Sequence, residues 1–193
     1  MTNERRFNPK SKEKLEAPGR GEHFPIDAIL DAAGVCGKLT VADIGAGTGY
    51  FALPMGRRVG DGKVFAIDPS TEMLETIRAK LDADDAPKNV KLIVGEDSAT
   101  GLAAASCDLI FICAVWHEID DHMAALREFS RIAAPNAKLA IVDWRPDAVP
   151  PPGPPQEHRI TRADVEKVME QGGWGAVKSD VVSPTTYIVV GQR

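Results

Sequence analysis

Cysteine is scarce in this sequence, and its spacing excludes the common cysteine sites. The 193 residues include three cysteines, Cys36, Cys107 and Cys113, and no two of them form a C-x-x-C pair. This spacing excludes a zinc ribbon, a dithiol redox motif and a disulfide framework. The histidines and acids also lack a recognisable metal-ligand spacing, so no metal is expected.

Long apolar runs and dense basic runs are missing as well. No run of about 18 apolar residues occurs, which argues against a membrane-spanning helix, and the polar residues 1–21 do not resemble a secretory signal. Because 23 Lys and Arg face 28 Asp and Glu, a general nucleic-acid binder is not expected. These absences predict a cytoplasmic protein that binds small molecules, and they leave its oligomeric state open.

The chain divides into a charged arm and a longer regular region. Residues 1–24 contain six basic and four acidic residues among few apolar ones, so this arm cannot form a core. It is either frayed or folded over the main body, where it would cover the active site. Residues 25–193 are expected to form one domain that starts with a helix at 26–33, ended by Gly34.

Short apolar runs rich in Val and Ile predict buried strands. The runs are unbroken rather than alternating, which is typical of strands buried on both faces of a parallel sheet. Helical patterns lie between them and indicate a doubly wound α/β sheet. The last two strands are too close in sequence for a helical crossover and are expected to form an antiparallel hairpin. The seven predicted strands are 39–44, 64–67, 90–94, 109–115, 139–142, 176–182 and 186–190.

Capping residues mark the starts of two predicted helices. Ser70 precedes one helix, and Thr161 and Asp164 form a capping box before another, which Gly172 and Gly173 end. A third helix is predicted between them and ends near 135. The predicted buried faces are Met73, Leu74, Ile77 and Leu81 after Ser70, and Ile119, Met123, Leu126 and Phe129 in the third helix.

A proline-rich segment interrupts the regular pattern. Residues 144–159 hold six of the chain's 14 prolines and show no periodicity. The segment begins at the carboxyl end of a predicted strand, where ligands bind in open α/β sheets. Long loops in compact domains are typical of lids and binding loops. A lid is therefore expected, and a plain surface loop is the alternative.

Three glycines at alternate positions follow the first predicted strand. They are Gly45, Gly47 and Gly49, and Asp68 follows 19 residues later at the end of the next strand. Glycines let a ligand approach the backbone, and an acid at that distance accepts hydrogen bonds from ribose hydroxyls. A dinucleotide fingerprint needs its third glycine one residue later, and a P-loop needs a lysine that is absent. The remaining class is a cofactor with a ribose and no phosphate.

These residues and several further segments resemble the class I S-adenosylmethionine-dependent methyltransferases. The resembling segments are 41–49, 67–74, 95–97, 107–110 and 126–135, and the similarity covers about residues 25–193. It is nearest to the methyltransferase type 11 group, which includes ubiquinone and menaquinone-biosynthesis C-methyltransferases. The resemblance implies a Rossmann-like, seven-stranded, mostly parallel sheet. One departure is a turn of Pro135, Asn136 and Ala137 where the group has Pro-Gly-Gly.

The resemblance implies that the glycine loop holds the methionine and ribose parts of S-adenosylmethionine. Gly45, Gly47 and Gly49 would let the backbone approach it. Asp43 would orient the loop and the cofactor's ammonium group, and the carbonyl of Ala114 would also meet that ammonium. The alternative for Asp43 is an acid that caps its own turn.

Further residues are expected to bind the ribose and the adenine. Asp68 would bind both ribose hydroxyls, although it could instead cap the helix after Ser70. Glu96 or Asp97 would recognise the adenine amino group, and Met73 would pack on the ring.

Aromatic and polar residues follow the fourth and fifth strands and predict the acceptor site. Trp116, His117 and Glu118 follow one strand, and Asp143 and Trp144 follow the other. His117 is the candidate general base because its ordinary pKa lies near neutrality. The alternatives are that His117 only orients a loop and that the tryptophans only close the core.

Three basic residues in the arm and the proline-rich segment are candidates for an anionic substrate. They are Arg20, His158 and Arg159, with a solvated surface as the alternative for each.

The sequence thus predicts an enzyme that transfers a methyl group to a small-molecule acceptor by in-line displacement. One rival is a cofactor-binding regulatory module without chemistry. Another is a nicotinamide dehydrogenase, which Tyr50 in place of the third glycine disfavours.

Overall fold

The computed structural model describes residues 8–148 and 153–193, which build one seven-stranded sheet with helices packed on it. The strands are β1 (Thr40–Ile44), β2 (Lys63–Asp68), β3 (Val90–Val94), β4 (Cys107–Cys113), β5 (Ala133–Trp144), β6 (Gly175–Val181) and β7 (Thr186–Gln192). Their order is β3-β2-β1-β4-β5-β7-β6. The first five strands are parallel, and β7 runs antiparallel to both β5 and β6. The predicted doubly wound sheet with its closing hairpin is confirmed.

In the described residues, six α-helices and three 3₁₀ helices precede the first strand or connect the strands. The α-helices are α1 (Arg20–His23), α2 (Ile26–Ala33), α3 (Ala52–Arg58), α4 (Thr71–Leu81), α5 (His122–Ile132) and α6 (Arg162–Gln171), and the 3₁₀ helices are Pro9–Glu16, Trp116–Glu118 and Gln156–His158. The side chains of Ser70 and Thr161 accept hydrogen bonds from the third residue beyond them, as the capping signals predict. Within 8–148 and 153–193, no helix is long and apolar enough to cross a membrane.

The sheet separates two layers of the hydrophobic core. Alternate residues of a strand point to opposite faces, and in β4 Leu109 and Phe111 join one buried cluster while Ile110 and Ile112 join the other. All four side chains are buried. Burial on both faces is the reason that these strands are continuous apolar runs.

The helix before β5 differs in part from the prediction. It begins at His122, so Ile119 lies before it, and Met123 is 36% exposed rather than buried. β5 is also longer than predicted and begins directly after the helix. Asn136 has a φ of 65°, in the left-handed region that Asn tolerates better than most residues. Pro135, Asn136 and Ala137, predicted as a turn, lie within β5 where its register with β4 shifts, and the conformation of Asn136 accommodates this irregularity without the glycines usual in the methyltransferase type 11 group.

Glu128 of α5 fixes the segment that leads from β3 to β4. Its Oε1 accepts hydrogen bonds from the Thr100 backbone N (2.9 Å) and from Thr100 Oγ1 (2.6 Å). Arg131 donates to both carboxylate oxygens at 2.7 Å. These hydrogen bonds, those of Arg131 first, lower the pKa of Glu128 to about 2. The network therefore holds an ionised carboxylate beside the backbone that follows Glu96 and Asp97.

Replacing Glu128 by Gln is expected to reduce the free energy of unfolding by roughly 1–3 kcal/mol, because charged hydrogen bonds to a buried backbone are lost. Since the pKa is lowered in the folded state, this contribution is present above the ordinary Glu pKa and is lost as pH falls from about 5 to about 2. Urea denaturation at several pH values measures it. The matched control is Glu75→Gln, which removes an exposed pair with Arg78 three residues away and should change stability by less than about 0.5 kcal/mol. Equal effects of the two substitutions would contradict a role for the network.

Candidate cofactor and acceptor site

A cavity of about 870 Å³ opens at the carboxyl ends of four parallel strands. Asp43, Asp68, Cys113 and Trp144 lie at or next to the ends of β1, β2, β4 and β5 and line it. This edge includes the point between β1 and β4 where strand order reverses, the usual ligand position in such sheets. The predicted site residues that line the cavity are Arg20, Asp43, Gly45, Gly47, Asp68, Met73, Glu96, Asp97, Ala114, His117, Glu118, Trp144 and His158, whereas Gly49, Trp116, Asp143 and Arg159 do not line it.

The glycine loop joins the ends of three strands. The backbone N–H groups of Gly45 and Ala46 donate to the carbonyl of Ile67 at 2.8 and 3.0 Å. Gly45 has a φ of 69°, and a Cβ there would lie 2.5 Å from Val115 Cγ2. Both the positive φ and the close contact with Val115 require glycine at this position.

Gly49, the third glycine of the predicted cofactor loop, packs against two helices. Gly49 does not line the cavity; it has a φ of 84°, and a Cβ there would lie 2.5 Å from Leu53 Cδ1 and 3.1 Å from Ile77 Cγ1. Its lack of a side chain permits close packing of the loop on α3 and α4.

Asp68 connects the glycine loop to the helix that follows β2. Its Oδ2 accepts from the Gly47 backbone N (2.9 Å), and its Oδ1 accepts from the Ser70 backbone N (2.8 Å). Burial raises the pKa of Asp68 in spite of these hydrogen bonds, and the charge of Glu96 adds to the increase. Each carboxylate oxygen has a second lone pair, so Asp68 retains acceptor capacity toward the cavity.

Asp43 is the least satisfied acid at this edge of the sheet. It is 3% exposed, and its Oδ2 has no hydrogen-bond partner among the described residues. Burial, followed by the nearby charge of Asp68, raises its pKa to about 8. An orphaned carboxylate oxygen that borders a cavity fits a ligand bearing a cationic donor, such as the ammonium of S-adenosylmethionine.

His117 and Asp143 form a buried pair at the ends of β4 and β5. Asp143 Oδ2 accepts from the His117 backbone N (3.0 Å), and its Oδ1 lies 2.8 Å from His117 Nδ1. Burial by itself would lower the pKa of His117, but the charge and hydrogen bond of Asp143, helped by Glu118, raise it overall. His117 lines the cavity, while Asp143 lies behind it and is 1% exposed. Asp143, predicted as a substrate residue, therefore contacts His117 and does not border the cavity.

Two further residues predicted for the acceptor site, Trp116 and Arg159, do not line the cavity. Trp116 is fully buried in the core and stacks on His122 with ring centroids 4.3 Å apart, away from the cavity. The Arg159 guanidinium donates to the carbonyls of Pro154 and Arg145, so it ties together the two ends of the proline-rich segment. Trp116 begins a 3₁₀ helix after β4, and Arg159 follows the 3₁₀ helix Gln156–His158. Neither position in the sequence settles which way the side chain points.

The described part of the proline-rich segment contributes to the cavity wall. Gly153, Pro154, Pro155 and His158 line the cavity, and the segment includes the 3₁₀ helix that the sequence did not predict. Residues 149–152, part of the predicted lid, lie outside the described residues.

The arm supplies lining residues that sequence reasoning did not name as site residues. Leu15, His23 and Phe24 line the cavity, as does Tyr50 beyond the glycine loop. The Tyr50 hydroxyl donates to the Phe24 carbonyl at 3.0 Å, and Phe24 packs on Trp144 with ring centroids 4.7 Å apart. The apolar residues scattered in a charged arm were the available signal, but their contacts depend on how the arm folds back.

Arg20 reaches the same wall of the cavity. Its guanidinium carbon lies 4.6 Å from the centroid of the Tyr50 ring and 5.4 Å from that of Phe24. Its Nε is buried and has no hydrogen-bond partner among the described residues. A donor in this position is suited to an anionic group of a ligand.

Replacing Asp43 by Asn is expected to stabilise the ligand-free protein above pH 8. Because its pKa is raised in the folded state, ionising Asp43 costs folding free energy, and this cost grows as pH rises from about 4 to about 8. The difference in unfolding free energy between Asp43→Asn and the unsubstituted protein should therefore increase over that range. Denaturant unfolding at closely spaced pH values measures it, with the exposed Asp61→Asn as control. A difference that does not change with pH would contradict an unfavourably buried carboxylate.

Comparison with known proteins agrees with the motifs. A model of the methyltransferase domain family matches residues 42–141. The chain is 28% identical over 113 residues to a demethylmenaquinone methyltransferase of Lactococcus lactis, covering 58% of this chain and 44% of that protein. It is 31% identical over 138 residues to a trans-aconitate 2-methyltransferase of Methylobacterium radiotolerans, covering 72% and 46%. The matched segments thus span less than half the length of these curated relatives.

A solved structure is similar over almost the whole chain. It is a SAM-dependent methyltransferase from Aquifex aeolicus, 31% identical, with a TM-score of 0.90 and coverage of 97% of this chain and 99% of that one. The strand order, the glycine turn and the acids at the ends of β1 and β2 agree with this likeness. The chain therefore belongs to the S-adenosylmethionine-dependent methyltransferase family.

Proposed function

We propose that this protein transfers the methyl group of S-adenosylmethionine to a small-molecule acceptor. The observation that carries the proposal is one cavity in which the glycine loop, Asp43 and Asp68 lie at the ends of β1 and β2, while His117 and Trp144 follow β4 and β5. When bound, the cofactor supplies an electrophilic methyl group on a sulfonium. The protein's part is to align the acceptor, exclude water and manage its proton.

The residues at the β1 and β2 side fit the parts of the cofactor. Asp68 retains lone pairs for the ribose hydroxyls, and Asp43 offers its unpartnered oxygen to the ammonium group. Glu96 or Asp97, next to the end of β3, would accept from the adenine amino group. The main support for these assignments is chemical, because each acid borders the cavity and can accept a hydrogen bond from a donor group of the cofactor.

The enclosing arm favours a small acceptor over a macromolecule. Leu15, Arg20 and Phe24 border the cavity from outside the sheet, and we propose that the arm covers the active site together with the proline-rich segment. A volume of about 870 Å³ lies toward the upper end of the roughly 300–1,000 Å³ typical of small-molecule pockets, which suits a cofactor plus a small acceptor. The relatives named for demethylmenaquinone and trans-aconitate also act on small molecules.

Four residues at the β4 and β5 side are proposed to contact the acceptor. Trp144 supplies an apolar wall with Phe24, and Arg20 supplies a guanidinium with an unpartnered Nε. Glu118 and His158 border the same space. Their mixture of aromatic and polar groups is typical of pockets that orient one small molecule.

Replacing Asp68 by Asn is expected to weaken cofactor binding by roughly 10- to 100-fold, because two charge-assisted hydrogen bonds to ribose become weaker. Isothermal titration with S-adenosylhomocysteine measures the dissociation constant without requiring turnover. The exposed Asp84→Asn is the control and should bind like the unsubstituted protein. Unchanged affinity in Asp68→Asn would contradict the ribose assignment.

Transfer itself is tested with methyl-labelled S-adenosylmethionine and a panel of small phenols, carboxylic acids, amines and thiols. The expected result is label in at least one class of acceptor. Tight cofactor binding with no label in any acceptor would contradict the proposed function and favour a cofactor-binding module without chemistry.

A further inference from the structure

His117 is held in one orientation by a single carboxylate. Its backbone N and its Nδ1 both contact Asp143, at 3.0 and 2.8 Å, through the two different oxygens of that carboxylate. The turn that carries His117 is thereby fixed to the end of β5. The contact to the backbone N is sufficient to fix the turn. The second contact, to Nδ1, fixes the orientation of the imidazole ring.

The surroundings of Asp143 decide which ring nitrogen of His117 carries the hydrogen. The Trp144 backbone N also donates to Asp143 Oδ1, at 2.8 Å. Both oxygens of Asp143 thus accept hydrogen bonds from backbone N–H groups, the role of a carboxylate acceptor. Nδ1 of His117 must then be the donor in that contact, which leaves the lone pair of the neutral ring on Nε2.

Nε2 is the atom of this pair that is available to a ligand. His117 and Glu118 border the cavity, whereas Asp143 does not. The Glu118 Oε1 lies 3.7 Å from Nε2, beyond hydrogen-bond distance. The charged groups that act on the ring are Asp143 from β5, Glu118 from its own turn and Arg159 from the proline-rich segment. The two acids favour a proton on the ring, and Arg159 opposes it.

Resting on the proposed function, we infer that His117 is the general base of methyl transfer, that Asp143 is its positioning residue, and that the acceptor is a phenol or enol whose hydroxyl must lose a proton. A carboxylic acid is already ionised at neutral pH and would need no such base. The aromatic wall of Phe24 and Trp144 suits a planar acceptor body.

The proton and electron pairs balance in this reaction. His117 Nε2 accepts the hydroxyl proton, and the Asp143 carboxylate stabilises the resulting imidazolium. The electron pair of the acceptor oxygen forms the bond to the methyl carbon. The carbon–sulfur bond breaks with its pair on sulfur, which leaves a neutral thioether. The imidazolium then releases its proton to water.

The first test uses His117→Gln with phenols of graded acidity. For phenols that are neutral at the assay pH, kcat/KM should fall by roughly 100- to 10,000-fold. For nitrophenols that are already ionised it should fall less than about tenfold, while the dissociation constant of S-adenosylhomocysteine should stay within about threefold. His122→Gln, a histidine that does not border the cavity, is the matched control. An equal loss for neutral and ionised phenols would overturn the role as base.

The second test separates positioning from structure with Asp143→Asn. Because Asp143 raises the pKa of His117, its loss should move the acid limb of the pH–kcat profile to lower pH and reduce kcat more than it changes KM. An unchanged acid limb would overturn the positioning role.

A binding measurement covers the case in which turnover is absent. With S-adenosylhomocysteine present, the absorbance of 4-nitrophenol bound to the protein should report a lower phenol pKa than in His117→Gln. Identical values would overturn the inference whether or not methyl is transferred. Label found only in carboxylic acids would also overturn it while the proposed function stands, and cofactor binding without label in any acceptor would overturn the proposed function instead.

Discussion

The burial of two carboxylates at one edge of the sheet is the constraint on which the rest of the site depends. Asp43 and Asp68 lie at the ends of neighbouring parallel strands, and burial raises the pKa of both. Hydrogen bonds from Gly47 and Ser70 offset part of the cost for Asp68, whereas Oδ2 of Asp43 has no partner among the described residues. Strands buried on both faces supply the stability that permits this unfavourable arrangement.

Two other carboxylates have hydrogen-bond donors on their oxygens. Asp143 is surrounded by donors from His117 and Trp144, and Glu128 by donors from Thr100 and Arg131. Satisfied carboxylates hold neighbouring groups in one geometry, so these two acids position the acceptor side and the segment after β3. The site thus combines Asp43, whose Oδ2 has no partner among the described residues, with hydrogen-bonded carboxylates behind the cavity wall.

Local patterns were sufficient for the architecture and for most residues of the cofactor side. The glycine turn and Asp68 have a spacing that leaves few alternatives, and both border the cavity. The same patterns did not place Gly49, Trp116 and Arg159 correctly relative to the cavity, since none of the three lines it. Gly49 lies in a loop and Trp116 in a 3₁₀ helix, where neither the strand nor the α-helix period settles which residues face a ligand. Arg159 is positioned by carbonyls of the proline-rich segment, which no periodic pattern describes.

The sequence by itself determined the order of strands and helices, the glycine turn and the family, because each depends on apolar runs, caps and spacings over short stretches of chain. Only the tertiary structure decided that Asp143 serves His117, 26 residues away, and that the arm reaches Thr185 through His23 across 162 residues. Such pairs depend on strand register and on the path of the chain back over the sheet. Register and chain path are set by the packing of the whole core, so no local sequence pattern predicts these pairs.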